Sequence, residues 1–208
     1  IARRQLQMCI RDRLGGQIVP GCQPAIKFDI QLYLDWLRRK VAEAERDNNL
    51  TVLMNTTATS EWVLAQQPDS VVVAVGSNPV TLPIPGQNTN RTMLATDLLV
   101  HPEELAGVQR VIVVGGGDVG CEVAYWLRME HAKEVTVIEM EPRFMGHTVT
   151  SNRGMLIHYL GRAGVPLLNC TKAVEITPRG LRVERNLHPS VPNPYETWHP
   201  ILPVSYTH

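Results

Sequence analysis

VIVVGGGDVGCEVAYWL, residues Val111–Leu127, runs from four apolar residues into three consecutive glycines and then into a helical period. A short apolar run that breaks at glycine and resumes with apolar residues three and four apart predicts a strand, a tight turn and a helix. Val111–Val114 is the expected buried strand. Asp118–Arg128 is the expected helix, turning Val119, Val123, Ala124 and Leu127 toward the sheet. VTVIE, Val135–Glu139, follows as a second strand and completes a βαβ unit. Inside it, Gly115, Gly117 and Gly120 have Gly-x-Gly-x-x-Gly spacing. In this context each glycine has a mechanical role: Gly115 turns the chain off the strand, Gly117 leaves room for a pyrophosphate, and Gly120 lets helix and strand approach. Asp118 and Val119 lie between the last two glycines at the helix start, where unpaired N–H groups and the positive end of the helix favour an anion. The segment is expected to bind a dinucleotide.

Glu139 ends the second strand, 24 residues after Gly115 (139 − 115). A carboxylate there accepts hydrogen bonds from ribose hydroxyls and repels a 2′-phosphate, so NAD is expected over NADP. Arg143, four residues on, is the competing determinant. Glu122, in the first helical turn, is either an acid stabilised by the helix N-terminus or a residue facing the nicotinamide or a flavin. Cys121 has no partner at CxxC spacing and reads as a packed residue rather than a redox thiol.

Downstream, a second helix is expected over Asn152–Leu160, burying Met155, Leu156, Tyr159 and Leu160. Val165–Leu168 reads as a third parallel strand, and Val174–Ile176 with Leu181–Val183 as a hairpin closed by TPRG. Upstream, Asp29–Glu45 has helical periodicity in Ile30, Tyr33, Leu34, Leu37, Val41 and Ala44. Thr51–Thr59 and Val71–Gly76 are expected strands, the second buried on both sides because its run is continuously apolar. The Pro-, Asn- and Gly-rich stretch from Asn78 to Asn90 is expected to cross between domains.

Lys plus Arg total 20 and Asp plus Glu total 20 in 208 residues, a balance without an electrostatic footprint for nucleic acid or an anionic membrane. No apolar run is long enough for a membrane span, and the first residues lack a secretory h-region, so a cytoplasmic location is expected. Cys9, Cys22, Cys121 and Cys170 show no metal-ligand spacing, and no metal site is expected. Asn55, Asn90 and Asn169 match the glycosylation pattern by chance, given no secretory route. The chain lacks an initiator Met, and MCIRDR and PVSYTH resemble translated adapter sequence. It is therefore expected to be part of a longer protein, with residues 1–13 and 186–208 contributing no packed element.

LGGQIVPG (Leu14–Gly21), YLDWLRRK (Tyr33–Lys40), NTTAT (Asn55–Thr59) and DSVVVAVGSNP (Asp69–Pro79), together with the glycine segment and VTVIE, resemble the two-dinucleotide-domain pyridine nucleotide oxidoreductases. Within them the similarity is to the C-terminal part of old-yellow-enzyme-like reductases, the 2-enoate reductase, 2,4-dienoyl-CoA reductase and trimethylamine dehydrogenase group. The resemblance implies an α/β, Rossmann-like FAD/NAD(P) fold present as a fragment. Residues 1–108 would be a partial FAD-binding domain lacking its first glycine motif, 109–185 the NAD(P)-binding domain, and 186–208 an incomplete tail. It further implies hydride transfer from NADH to FAD, then passage through a 4Fe-4S cluster to FMN and an activated C=C bond. FMN and the cluster would belong to a part outside this chain. By the same resemblance Gly16 and Gln17 contact FAD, Lys27 lies near its pyrophosphate, Ala58 meets the adenine, and Ala74, Val75 and Gly76 approach the phosphate. A small-molecule substrate and a possible homo-oligomer are implied as partners. The alternatives are a flavoprotein subunit such as the glutamate synthase small subunit, and a non-catalytic nucleotide-binding protein.

Overall fold

The structure, a computed structural model, describes residues 6–10, 13–87, 92–148 and 150–188. The chain divides into two compact units, Ile1–Pro79 and Val80–His208.

In the first unit, strand β1 (Leu6–Ile10) leads to a four-residue helix, α1 (Ile18–Gly21), then helix α2 (Phe28–Arg46), strand β2 (Leu50–Met54) and helix α3 (Ser60–Ala65). β1 and β2 pair in parallel, Leu6 opposite Leu50 and Ile10 opposite Met54. An element at residues 6–10 corrects the expectation that the first thirteen residues contribute none. The backbone groups along β2 require partners, and the main chain of 6–10 supplies them. The remaining terminal residues, 1–5 and 189–208, lie outside the described residues.

Helix α2 follows its predicted bounds, but Leu34 is its buried side chain, while Tyr33 is 53% exposed and stacks on Trp36. The strand expected through Thr59 stops at Met54, because Asn55 turns the chain at φ +54°. Thr59 instead caps α3, its hydroxyl accepting the Trp62 N–H at 3.2 Å. Val71–Gly76 forms no strand, and Val72, Val73 and Val75 are 79–89% exposed. A continuous apolar strand needs paired neighbours and a layer over each face. The β1–β2 pair provides neither to this segment.

The second unit contains helix α4 (Ala95–Val100), strand β3 (Arg110–Val114), helix α5 (Asp118–Met129), strand β4 (Glu134–Ile138), helix α6 (Thr150–Arg162), strand β5 (Leu167–Leu168), and the hairpin β6 (Thr171–Thr177) with β7 (Gly180–Arg185). The sheet order β3-β4-β5 is parallel throughout, with Val114 opposite Ile138 and Ile138 opposite Leu168. The βαβ unit, the third parallel strand and the hairpin all occur as expected.

The core of this unit joins Cys121, Ala124 and Leu127 of α5 to Val137 of β4 and to Ile157 and Leu160 of α6, each fully buried. Three expectations about packing are corrected. β3 is covered on one face only: Val111 and Val113 are half-buried, but Ile112 and Val114 are exposed. Val119 is also exposed, which keeps it off the sheet face of α5. In α6 the inward stripe is Leu156, Ile157 and Leu160, whereas Met155 and Tyr159 are exposed. The face toward α5 begins one residue later than the period alone suggests. The Asn169 amide is buried and donates to Pro142 O at 2.9 Å, so this site has no room for a glycan.

Candidate dinucleotide-binding site

The parallel ladder extends one residue past β3, where the Gly115 N–H donates to Ile138 O at 2.9 Å. Gly115 then adopts φ +104°, a conformation an L side chain strains to reach, and the chain leaves the sheet. One turn into α5, a Cβ at Gly120 would stand 1.9 Å from Gly115 O, so only glycine permits this approach of helix to turn. Gly117 differs: a Cβ there would meet nothing within 4 Å, and the residue precedes α5 without a side-chain cap. Open space before an uncapped helix start is what a pyrophosphate requires, so these residues fit a dinucleotide.

Glu139 leaves the end of β4 and turns back over the glycines. Its Oε2 accepts the Gly116 N–H at 2.7 Å and its Oε1 the Glu141 N–H at 2.8 Å. Both oxygens retain a second lone pair for another donor. The loop beyond is clasped to the same turn, with the Met145 N–H donating to Gly116 O at 2.7 Å. Phe144 is fully buried against Gly116, where a Cβ would lie 2.2 Å from the ring. Gly116 therefore leaves no space for a side chain, as Gly120 does, although the motif leaves its position free. The run of three glycines was the available signal, but its cause is an aromatic ring 28 residues away (144 − 116).

Asp118 and Val119 are exposed at the start of α5, and the Asp118 carboxylate accepts the Thr148 hydroxyl. Glu122 is half-buried one turn on. Cys121 is fully buried, its thiol directed at Gly116 O at 3.4 Å. Burial first, then the carboxylates of Asp118, Glu139 and Glu122, push that thiol up to about 12. It remains a neutral packed group at physiological pH, in keeping with its sequence reading. Arg143 is exposed on the loop. Arg153, on α6, donates from Nε to Phe144 O at 2.7 Å. Its guanidinium is held below its ordinary value by burial and then by the charge of Arg143.

In the first unit the Gln17 amide donates to Ser77 O at 2.9 Å and to Ser77 Oγ at 3.1 Å. This joins Gly16 and Gln17 to the segment of Ala74, Val75 and Gly76, the last turning at φ +71°. The guanidinium of Arg38 supports the same turn from α2, donating to Leu14 O at 3.1 and 3.3 Å. Lys27 stands just before α2, and Ala58 lies exposed between β2 and α3.

Residues 25–190 match the model of the pyridine nucleotide-disulphide oxidoreductase family. The chain belongs to that family. Its members bind FAD and NAD(P), and the parallel sheet with flanking helices is the corresponding Rossmann-like α/β fold, here in part. Among relatives, the chain is 35% identical over 147 residues to a cinnamate reductase of Clostridium sporogenes, covering 69% of this chain and 21% of that protein. It is 31% identical over 173 residues to an NADH oxidase of Thermoanaerobacter brockii, covering 82% and 26%. It is 33% identical over 171 residues to a bilirubin reductase of Mediterraneibacter gnavus, again covering 82% and 26%. The chain thus spans about a quarter of the length of these relatives. A solved 2-naphthoyl-CoA reductase complex superposes with a TM-score of 0.72 over 87% of this chain and 26% of that one. At 20% identity this likeness concerns the fold. Among the described residues no helix is long and apolar enough to cross a membrane, and no acidic, His and Cys group is clustered to hold a metal.

Proposed function

We propose that this chain is the NADH-oxidising, FAD-reducing part of a larger oxidoreductase of the 2-enoate and 2,4-dienoyl-CoA reductase type. In this reading residues 1–108 belong to the FAD-binding domain, 109–185 form the NAD(P)-binding domain, and 186–208 are a tail. The carrying observation is Glu139, whose carboxylate is fixed at the mouth of the glycine turn by the Gly116 and Glu141 N–H groups.

The first turn of α5 receives the nicotinamide dinucleotide's pyrophosphate beside Gly115, Gly117, Asp118, Val119 and Gly120, through main-chain N–H groups and the positive helix end. Glu139 orients the adenosine ribose through its remaining lone pairs. Glu122, half-buried in α5, would face the nicotinamide or the flavin. For the flavin, Gly16 and Gln17 with Ala74, Val75 and Gly76 form one contact region, held together by the Gln17–Ser77 bonds. Lys27 offsets phosphate charge and Ala58 meets the adenine. Bound NADH supplies a hydride and bound FAD accepts it; the chain's own residues bind, orient and set nucleotide preference. Passage onward through a 4Fe-4S cluster to FMN, and reduction of an activated C=C bond, belong to the rest of the protein. A small-molecule substrate, a cytoplasmic setting and assembly into a homo-oligomer complete the proposal. The old-yellow-enzyme-like reading is supported by the cinnamate and bilirubin reductase relatives, whose names denote reductases.

Titrating NADH and NADPH against the protein tests the nucleotide assignment. A 2′-phosphate brought within a few ångströms of the Glu139 carboxylate costs about 2–4 kcal/mol after partial screening, on the order of 30- to 1,000-fold in affinity. Glu139→Ala should narrow the gap between the two nucleotides, and Gly117→Val should weaken both alike by filling the open space. Equal wild-type affinities, or a ratio unmoved by Glu139→Ala, would defeat the assignment and point to Arg143.

A further inference from the structure

We infer that Arg153 is a positioning residue for the dinucleotide site, holding the loop after Glu139 in register on the glycine turn through Phe144. The inference rests on the NADH-binding reading above.

Gly116 is gripped on both sides. Its N–H is bound by Glu139 and its C=O by the Met145 N–H, each at 2.7 Å. The Phe144 ring seals the position, so no side chain fits between turn and loop. Phe144 itself is held by its carbonyl, which accepts from Arg153 Nε at 2.7 Å. The clasp therefore runs from α6 through Phe144 and Met145 to Gly116, and from there to the carboxylate expected to meet the ribose.

Several features of the surroundings oppose this cation, and the bond to Phe144 O offsets them. Arg153 is the fourth residue of α6, in the first turn, where the positive helix end opposes a positive charge. Arg143 adds a like charge. Nη2 is buried and has no hydrogen-bond partner among the described residues, a condition that carries a desolvation cost. An arginine held under these conditions is held by what Nε binds. Relief of the Nη2 cost also means that removing the guanidinium need not unfold the chain.

Side-chain length makes the test specific. Gln places its Nε2 at the same distance along the chain as Arg Nε, so Arg153→Gln keeps the donor without the charge. Arg153→Met keeps the volume and loses the donor. With the intact chain, Arg153→Met should raise the Kd for NADH about tenfold, the equivalent of ~1.4 kcal/mol. Arg153→Gln should stay within about threefold of wild type. Loss in both variants would mean that Arg153 meets the nucleotide phosphates directly by charge, and would overturn the positioning role. A lowered melting temperature with unchanged Kd in Arg153→Met would also overturn it.

Hydrogen exchange at the Met145 amide reads the clasp without any nucleotide. Protection should fall about tenfold in Arg153→Met and persist in Arg153→Gln. If wild-type protein binds no NADH, the nucleotide reading fails; equal Met145 protection in wild type and Arg153→Met overturns the inference by itself.

Discussion

Replacing Gly120 by Ala separates steric necessity from helix propensity, because the two act in opposite directions. In an ordinary helix, Gly→Ala gains about 0.8–1 kcal/mol. At this position the new Cβ would lie 1.9 Å from Gly115 O and 3.1 Å from its carbonyl carbon. Real Cβ atoms essentially never come within 3.0 Å of such a group, so α5 and the turn must separate by roughly 1.1 Å (3.0 − 1.9). Overpacking of this kind costs about 1–3 kcal/mol, and the upper end applies where the obstruction is backbone rather than a movable side chain. After the propensity gain, a net loss of about 2 kcal/mol remains. In a chain of this size that lowers the melting temperature by roughly 4–8 °C. Denaturant titration and thermal melting measure the stability, and NADH titration measures the displaced helix start. Gly161→Ala serves as the control: Gly161 is exposed within α6, and its substitution should leave stability equal or higher. A Gly120→Ala protein as stable as wild type, with unchanged NADH affinity, would refute the close-approach reasoning.

The neutral, buried Cys121 thiol should resist iodoacetamide at pH 8, while the half-buried Cys170 reacts first; equal rates in mass-spectrometric mapping would contradict its packing. Because the folded thiol titrates at about 12 against 9.0 in the reference state, its contribution to stability is complete below pH 9. That contribution, at most on the order of 4 kcal/mol, should be lost as pH rises from 9 toward 12, and Cys121→Ala should flatten this part of the stability profile. Gln17→Ala removes both bonds to Ser77 and should weaken FAD retention by the full-length protein several-fold, read as flavin absorbance per polypeptide. Thr59→Ala removes the cap of α3 and should cost about 1 kcal/mol locally, seen as faster amide exchange over Ser60–Ala65 with NADH affinity unchanged.

From the residues alone, the βαβ core was legible because local rules suffice there. Four β-branched residues can only be read as a strand, glycine alone turns at φ +104°, and an acid ending the next strand falls beside the turn by parallel pairing. The hairpin at TPRG was legible for the same reason, a turn with strand period on each side. Other features depended on partners distant in sequence. Nothing local distinguishes Ile157 from Met155 as an inward residue until α5 sets the buried face of α6. Val71–Val75 carries the composition of a buried strand, yet burial is a property of neighbours, and the β1–β2 pair leaves it exposed. The middle glycine of the run was visible but unexplained, because its requirement comes from Phe144 folding back from beyond β4. Periodicity and turn chemistry are written in the sequence and specify elements and motif; which faces meet, and which donor holds which carbonyl, is set only when elements remote in the chain close on one another.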